Sequence, residues 1–401
     1  MAVSTPLHLT GLICSALVLA MLGNSTFPAL IPLFQETWQL SASQAGWVSG
    51  LYYAGYAAAV PLLVGRTDRT DARSIFIAAN LLGAAATLGF AFFARDFWTA
   101  LPWRLLAGAA LAGSYMVGAR ILADRIEGPQ QSRAIAWYTA HFAVGIGLSV
   151  FAAGELASRF GWQAAFVFGA GGSVAAALLV WLGTAAHRPE GAQTSGEALR
   201  WLEALKSRAA MGYTLGYACH IWELFGWRAW LVTFLVAAPA LGGLAQAEAT
   251  RLATLALIIG LPASVLGNEL SLRFGRRRAL TLMMLTSAVC TLSLGLAADG
   301  AAWLLLTLVF VVGVTAMGDS GSLTAGAVAA AEPERRGALM AIHTLLGFGA
   351  GFVAPLAFGT VLDAAGGTQE PQAWAWAFAL LACGALLGPL ALRLGRNAAA
   401  S

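Results

Sequence analysis

Charge is scarce in this chain of 401 residues: only 10% are Asp, Glu, Lys or Arg. A soluble domain carries about 25%, so a water-soluble enzyme, a disordered protein and a nucleic-acid-binding domain are all excluded. Lysine occurs once, as Lys206 after Leu205. A phosphate-cradling loop needs Gly-Lys-Ser/Thr, so an ATP-hydrolysing site is excluded too. No His-Glu-x-x-His or Gly-x-Ser-x-Gly pattern exists to serve an intramembrane hydrolase. The expectation is therefore no enzyme, no cofactor and no metal site. The four cysteines, Cys14, Cys219, Cys290 and Cys383, lie in separate apolar runs without paired or metal-ligand spacing, and read as small buried hydrophobes. Met1 to Thr10 lacks the basic stretch of a cleaved signal peptide, so the first apolar run is expected to be retained.

What is abundant is apolar surface. Hydrophobic residues make up 59% of the chain, and its mean hydropathy is +0.74. A bilayer-crossing helix needs about 20 apolar residues. Apolar stretches fall at about 9–32, 44–64, 74–94, 99–121, 134–155, 162–183, 210–237, 251–271, 279–298, 302–327, 338–361 and 373–393. The fold class expected is an all-α membrane protein of twelve transmembrane helices. One long polar segment, 184–208, separates an N-terminal six-helix bundle (1–183) from a C-terminal one (209–401), and 196–208 could form a short surface helix.

Basic residues orient the helices. With the N-terminus inside, about eighteen Arg and Lys fall in cytoplasmic breaks, against Arg95, Arg159 and Arg251 on the other side. Both termini are then cytoplasmic, the site is the inner (plasma) membrane, and the formal net charge of +4 is topology rather than an anionic partner. Trp38, Trp47, Trp98, Trp103, Trp162, Trp303 and Trp374 fall near outer helix ends, where an aromatic belt belongs. The halves also repeat. Pro129 to Arg133 precedes His141, Gly145 and Gly147, as Pro333 to Arg336 precedes His343, Gly347 and Gly349. An internal six-helix duplication suits a machine of two rocking bundles.

Between helices two and three the chain reads Gly65-Arg66-Thr67-Asp68-Arg69-Thr70-Asp71-Ala72-Arg73. Between eight and nine it reads Gly267-Asn268-Glu269-Leu270-Ser271-Leu272-Arg273-Phe274-Gly275-Arg276-Arg277-Arg278. Both resemble the Gly-x-x-x-Asp-Arg-x-Gly-Arg-Arg loop of the major facilitator superfamily. The first copy keeps Asp68-Arg69 but has Asp71 for the second Gly; the second keeps Gly275 but has Leu272 for the Asp. The resemblance implies secondary transport by alternating access, with Asp68 and Arg69 in a cytoplasmic gate. It also implies that helices one, four, seven and ten line the pathway. Those helices carry Asn24, Arg104 with Tyr115, His220 with Glu223 and Arg228, and Asp319.

Arg104 and Gly108 match a second motif of that family, and with Leu111 and Tyr115 share one helix face. Arg104 either faces the cavity or snorkels to the outer interface. Glu223 lies about 20 Å from the cytoplasmic end by helix rise. A carboxylate there costs about 2.5–3.5 kcal/mol on insertion scales, and either faces a pathway or locks two helices. Arg228 is five residues on, poorly placed to pair with it. His141 and His343 read as structural. Helix five lacks the Gly-Pro pair of the exporter branches, having Gly154-Glu155, so direction stays open. Nitrate-type carriers have an interior Arg in helix two, where this chain has Tyr52, Tyr53 and Tyr56. The expected function is a proton-coupled secondary transporter of a small solute, acting as a monomer whose partners are substrate, H+ and the lipid bilayer. A uniporter or importer of a small anion, rather than a drug-type exporter, and a non-transporting sensor on the same fold are the alternatives.

Overall fold

The computed structural model describes residues 5–67, 69–187, 203–332 and 335–394, and contains no strand among them. Among the described residues, ten helical stretches are long and apolar enough to cross a membrane. They are helix two (Ala42–Thr67), three (Ala72–Phe93), four (Phe97–Ala123), five (Pro129–Phe160) and six (Trp162–Gly183). Eight (Gln246–Phe274), nine (Arg276–Leu296), ten, eleven (Arg336–Ala364) and twelve (Pro371–Arg393) follow. Helices one and seven fall outside that set for opposite reasons. Helix seven (Arg208–Ala237) has the length but carries Arg208, Glu223 and Arg228. Helix one has the hydrophobicity but is broken into Pro6–Ala20, Thr26–Ala29 and Ile31–Thr37.

The continuous run expected over 9–32 is thus interrupted at residues 21–25. Gly23 and Asn24 are weak helix formers, and Pro28 and Pro32 withhold N–H donors just beyond. Helix ten is also broken, into Ala302–Gly318 and Ser320–Ala330, with Asp319 at the joint. Of the short surface helix expected over 196–208, residues 196–202 lie outside the described residues, and in the remainder 203–204 are helical and 205–206 form a turn.

Polar residues set the helix starts. Asp96 and Thr99 exchange hydrogen bonds in a capping box at the head of helix four. Those bonds from Thr99 hold the Asp96 carboxyl below the usual carboxylate range. Asp71, the residue that departs from the family loop, caps helix three by accepting from Arg73 N at 3.0 Å. Its second oxygen accepts from His187 N at 3.0 Å, and Arg125 lies 3.5 Å away. A glycine there could do none of this.

By their contacts the residues gather into two compact units. The first comprises Met1–Leu30, Leu51–Gln193 and Gln246–Thr254; the second Ile31–Gly50, Thr194–Ala245 and Leu255–Ser401. Within the first, helix three packs on six, and helix one on five and six. Within the second, helix nine packs on twelve, and helix seven on eleven and twelve. Each pairing recurs six helices later, which is the internal duplication expressed as packing. Trp98 and Trp303 are exposed as belt residues should be, but Trp374 is fully buried among Trp230, Phe234, Phe358 and Phe378. Its indole N–H donates to Thr368 O at 2.9 Å, so the ring anchors helix twelve inside the unit.

Candidate functional site

In the first unit, helices two and four approach until backbone touches backbone. A Cβ on Gly108 would lie 1.8 Å from the Tyr52 carbonyl oxygen, and one on Gly55 would lie 2.1 Å from that of Leu105. This contact sets Tyr52 beside the next turn of helix four, and the Arg104 guanidinium lies over the Tyr52 ring at 4.5 Å. Phe27, from the broken part of helix one, meets the same cation at 5.7 Å. Arg104 is 3% exposed. It is therefore an interior cation held against two aromatic faces.

Asn24 sits at the break of helix one, 4% exposed, with neither its amide nitrogen nor its oxygen hydrogen-bonded. It lines a small cavity of about 20 Å³ together with Tyr52, Asn80, Thr87, Ser114 and Ser173. Leu111 reaches this cavity, but Tyr115 does not. Tyr115 stacks on Tyr138 and tilts against Phe142, both on helix five. The structure thus joins Asn24 and Arg104 through Tyr52, and places Tyr115 in a separate aromatic contact. Of the gate pair, Asp68 lies outside the described residues, and Arg69 is an exposed turn residue donating its N–H to Arg66 O.

In the second unit the polar residues of helix seven form a spiral. Thr214, Tyr217, His220 and Glu223 are three residues apart, so each is turned about 60° from the last and the set climbs about 14 Å. Thr214 meets His343 of helix eleven, Oγ1 to Nδ1 at 3.4 Å, and Tyr217 stacks on the same imidazole at 3.9 Å. His220 Nδ1 lies 2.7 Å from Asp319 Oδ1, both side chains almost fully buried. The distance is that of an ion pair when the imidazole is protonated, with no hydrogen bond recorded at Asp319 Oδ1. Glu223 turns to helix nine, where one carboxylate oxygen accepts from Ser287 Oγ at 2.9 Å and Thr291 Oγ1 at 2.6 Å. Arg228 points elsewhere, with Met317 Sδ 3.2 Å from its terminal nitrogen and the Phe225 ring beneath it.

Ser287, Thr291 and Asp363 have no distinguishing signal in the sequence, and His343 is marked there only by the internal repeat. Ser287 and Thr291 stand among several hydroxyl residues of helix nine. His343 was read as structural, yet it continues the polar spiral. Asp363 of helix eleven reaches the start of helix two: Ala42 N and Ser43 N donate to its two oxygens at 2.8 Å each, and Ser43 Oγ donates at 2.5 Å. A carboxylate at a helix N-terminus satisfies donors that the helix itself cannot. Asp363→Asn replaces one acceptor by a donor facing those N–H groups. The expected cost is about 1–2 kcal/mol, seen as a melting temperature several degrees lower in detergent. An unchanged melt removes Asp363 as a clamp on helix two.

Buried charges concentrated on helices four, seven and ten of a polytopic bundle, two of whose membrane helices are broken, define a membrane protein with a polar interior. The chain belongs to the major facilitator superfamily, whose sequence profile matches residues 13–318 and 241–400. It is a secondary transporter of that fold. It is similar to the crystal structure of a bacterial homolog of the human lysosomal transporter Spinster, in an inward-facing and unoccupied conformation. That match has a TM-score of 0.74 and 16% identity over 97% of this chain and 95% of that one. It is likewise similar to a POT family transporter in complex with 5-aminolevulinic acid, with a TM-score of 0.75 and 10% identity over 95% and 94% of the two chains. A comparison with curated proteins finds no match.

Proposed function

We propose that the chain moves a small solute by alternating access and couples that movement to protons. The observation that carries the proton coupling is the cluster in the second unit: Glu223 and the His220–Asp319 pair, buried on adjacent helices with neutral or titratable partners. A permanent ion pair of Arg with carboxylate would serve as a lock. Hydroxyl donors and an imidazole instead tolerate both the protonated and the ionised carboxyl, as a proton carrier requires. In the first unit, Arg104 and Asn24 supply a cation and an amide to a solute. Solutes bearing an acidic group are accordingly the first class to test.

Purified protein in sealed vesicles tests the proposal. Under an imposed pH gradient, a panel of small carboxylates and lipophilic cations should yield a solute whose flux moves protons with it. Binding of a solute without flux under any gradient would convert the assignment to a sensor on the same fold.

Orientation follows from the arginine asymmetry, with both termini cytoplasmic in the inner (plasma) membrane. In a background lacking the native cysteines, a cysteine at Gly300 should label from outside intact cells. A cysteine at Gln193 should label only after permeabilisation. Equal labelling of the two sinks the orientation.

A further inference from the structure

The small cavity at the break of helix one has a volume of about 20 Å³. A single water needs about 10–15 Å³, so an organic solute or an oxyanion such as phosphate does not fit. Four elements of the first unit supply its polar wall. Asn24 comes from the break of helix one, Asn80 and Thr87 from helix three, Ser114 from helix four and Ser173 from helix six. All five residues are nine-tenths buried or more.

What these residues offer the cavity is lone pairs, because their hydrogens are already used. Thr87 Oγ1 donates to Gly83 O at 2.7 Å, Ser114 Oγ to Ala110 O at 3.0 Å and Ser173 Oγ to Gly169 O at 3.3 Å. A hydroxyl has one hydrogen and two lone pairs, so all three can now only accept. Asn80 Nδ2 donates to Phe76 O at 2.9 Å, which leaves its amide oxygen as an acceptor. Asn24 adds a buried amide with neither atom hydrogen-bonded. An unmet buried polar group is costly, and an occupant of the cavity would meet this one.

The lone pairs identify the occupant. An anion is repelled by them, and a water has only two hydrogens to share among the oxygens. A cation satisfies them together. Helix one (Pro6–Ala20) ends here, with Ala20 and Gly23 on the cavity wall, so the negative end of its dipole also favours positive charge. No Asp or Glu is among the described lining residues, whereas divalent ions are held largely by carboxylates. Tyr52 lines the same cavity and carries the Arg104 guanidinium over its ring at 4.5 Å, a second reason for a single charge. Potassium, the larger monovalent ion, is held in its channels by complete rings of backbone carbonyls, which a break in one helix does not supply.

We propose that this cavity binds one dehydrated sodium ion, coordinated by the neutral oxygens of Asn24, Asn80, Thr87, Ser114 and Ser173. The site shares no residue with the cluster around Glu223, so it stands or falls apart from proton coupling. An Asn24 side chain with its oxygen on the ion has its amide nitrogen left for the acidic solute proposed above. On that reading sodium prepares the solute site.

Binding of radiolabelled sodium to the purified chain in detergent, with choline holding the ionic strength, tests this. A single saturable site is expected, displaced by unlabelled sodium and about tenfold less well by potassium or magnesium. Thr87→Val and Ser173→Ala each remove one oxygen with little change of shape, and each should weaken sodium by about tenfold or more. Gly83→Ala sets a methyl on the cavity wall, 3.7 Å from Ser173 Oγ. It should weaken sodium likewise, and it serves if the other two fail to fold. Ser293→Ala removes a hydroxyl with the same i−4 bond from helix nine and should leave binding intact. Glu223→Gln should also bind sodium undiminished, which keeps this result separate from any failure of proton coupling. No saturable sodium binding overturns the proposal. Equal displacement by potassium overturns the assignment to sodium, and undiminished binding in the folded cavity variants overturns the location.

Discussion

Gly108→Ala should cost the protein most of its transport activity and a large part of its thermal stability. The new Cβ would stand 1.8 Å from the Tyr52 carbonyl oxygen. The obstructing atom belongs to the backbone, so no rotamer change relieves the clash; helices two and four must move apart. Overpacking of this kind typically costs about 1–3 kcal/mol. The shift also takes the Tyr52 ring from beneath Arg104, forfeiting a cation–π contact that reaches about 2 kcal/mol when desolvated. Gly11→Ala is the control, because a Cβ there meets nothing within 4 Å and alanine favours the helix. Flux and melting temperature measured side by side decide. A Gly108→Ala protein as active and as stable as Gly11→Ala removes the helix contact from the mechanism.

That contact is repeated in the second unit, and the repeat separates scaffold from specialisation. Gly55 and Gly108 lie 205 residues before Gly260 and Gly313. A Cβ on Gly313 would come 2.4 Å from the Ala256 carbonyl oxygen, and one on Gly260 would come 2.8 Å from that of Gly313. The close crossing of helices two and four is therefore built again between eight and ten. Arg104 is not repeated: the residue 205 positions on is Val309, fully buried. The crossing belongs to the duplicated framework. The arginine was placed on one copy of it, beside the broken helix one and Asn24.

Most of the helix layout is legible in the sequence, because about 20 apolar residues in a row have few other uses. Helix six was expected over 162–183 and runs Trp162–Gly183. Helix seven was expected from 210 to 237 and runs Arg208–Ala237. The side-chain partners were not legible, and the reason is rotation. A helix surrounded by other helices and lipid is apolar on every side, so its pattern does not say which face meets which neighbour. Asp363 meets Ala42 and Ser43 from 320 residues away, and nothing local to either segment foretells it. The Gly55–Gly108 crossing was hidden for a different reason. With 46 glycines in the chain, four at matched spacing carry no signal until the backbone shows what each one touches. His220 and Glu223 were both singled out, but as flanking neighbours on one helix; their partners turned out to lie on helices ten and nine.

Glu223→Gln should abolish proton-driven accumulation and spare exchange. The glutamine oxygen can still accept from Ser287 and Thr291, so the bonds to helix nine survive. What is lost is the exchangeable proton, since the amide is fixed in a neutral form. A gradient of one pH unit is worth about 1.4 kcal/mol per proton, or tenfold accumulation at one proton per solute. In the variant that ratio should fall to about one, while solute-for-solute exchange continues near its original rate. Glu223→Ala gives the contrast. It leaves two buried hydroxyls without their acceptor, at about 1–3 kcal/mol, and should lower both activities together with the melting temperature. Were Glu223 only a lock between helices seven and nine, the glutamine variant would keep its accumulation along with its structure. Full pH-driven accumulation in Glu223→Gln would therefore discharge Glu223 as the carrier. The same pair of assays would then pass to Asp319→Asn, whose His220 partner at 2.7 Å leaves it the other buried carboxyl able to exchange a proton with helix seven.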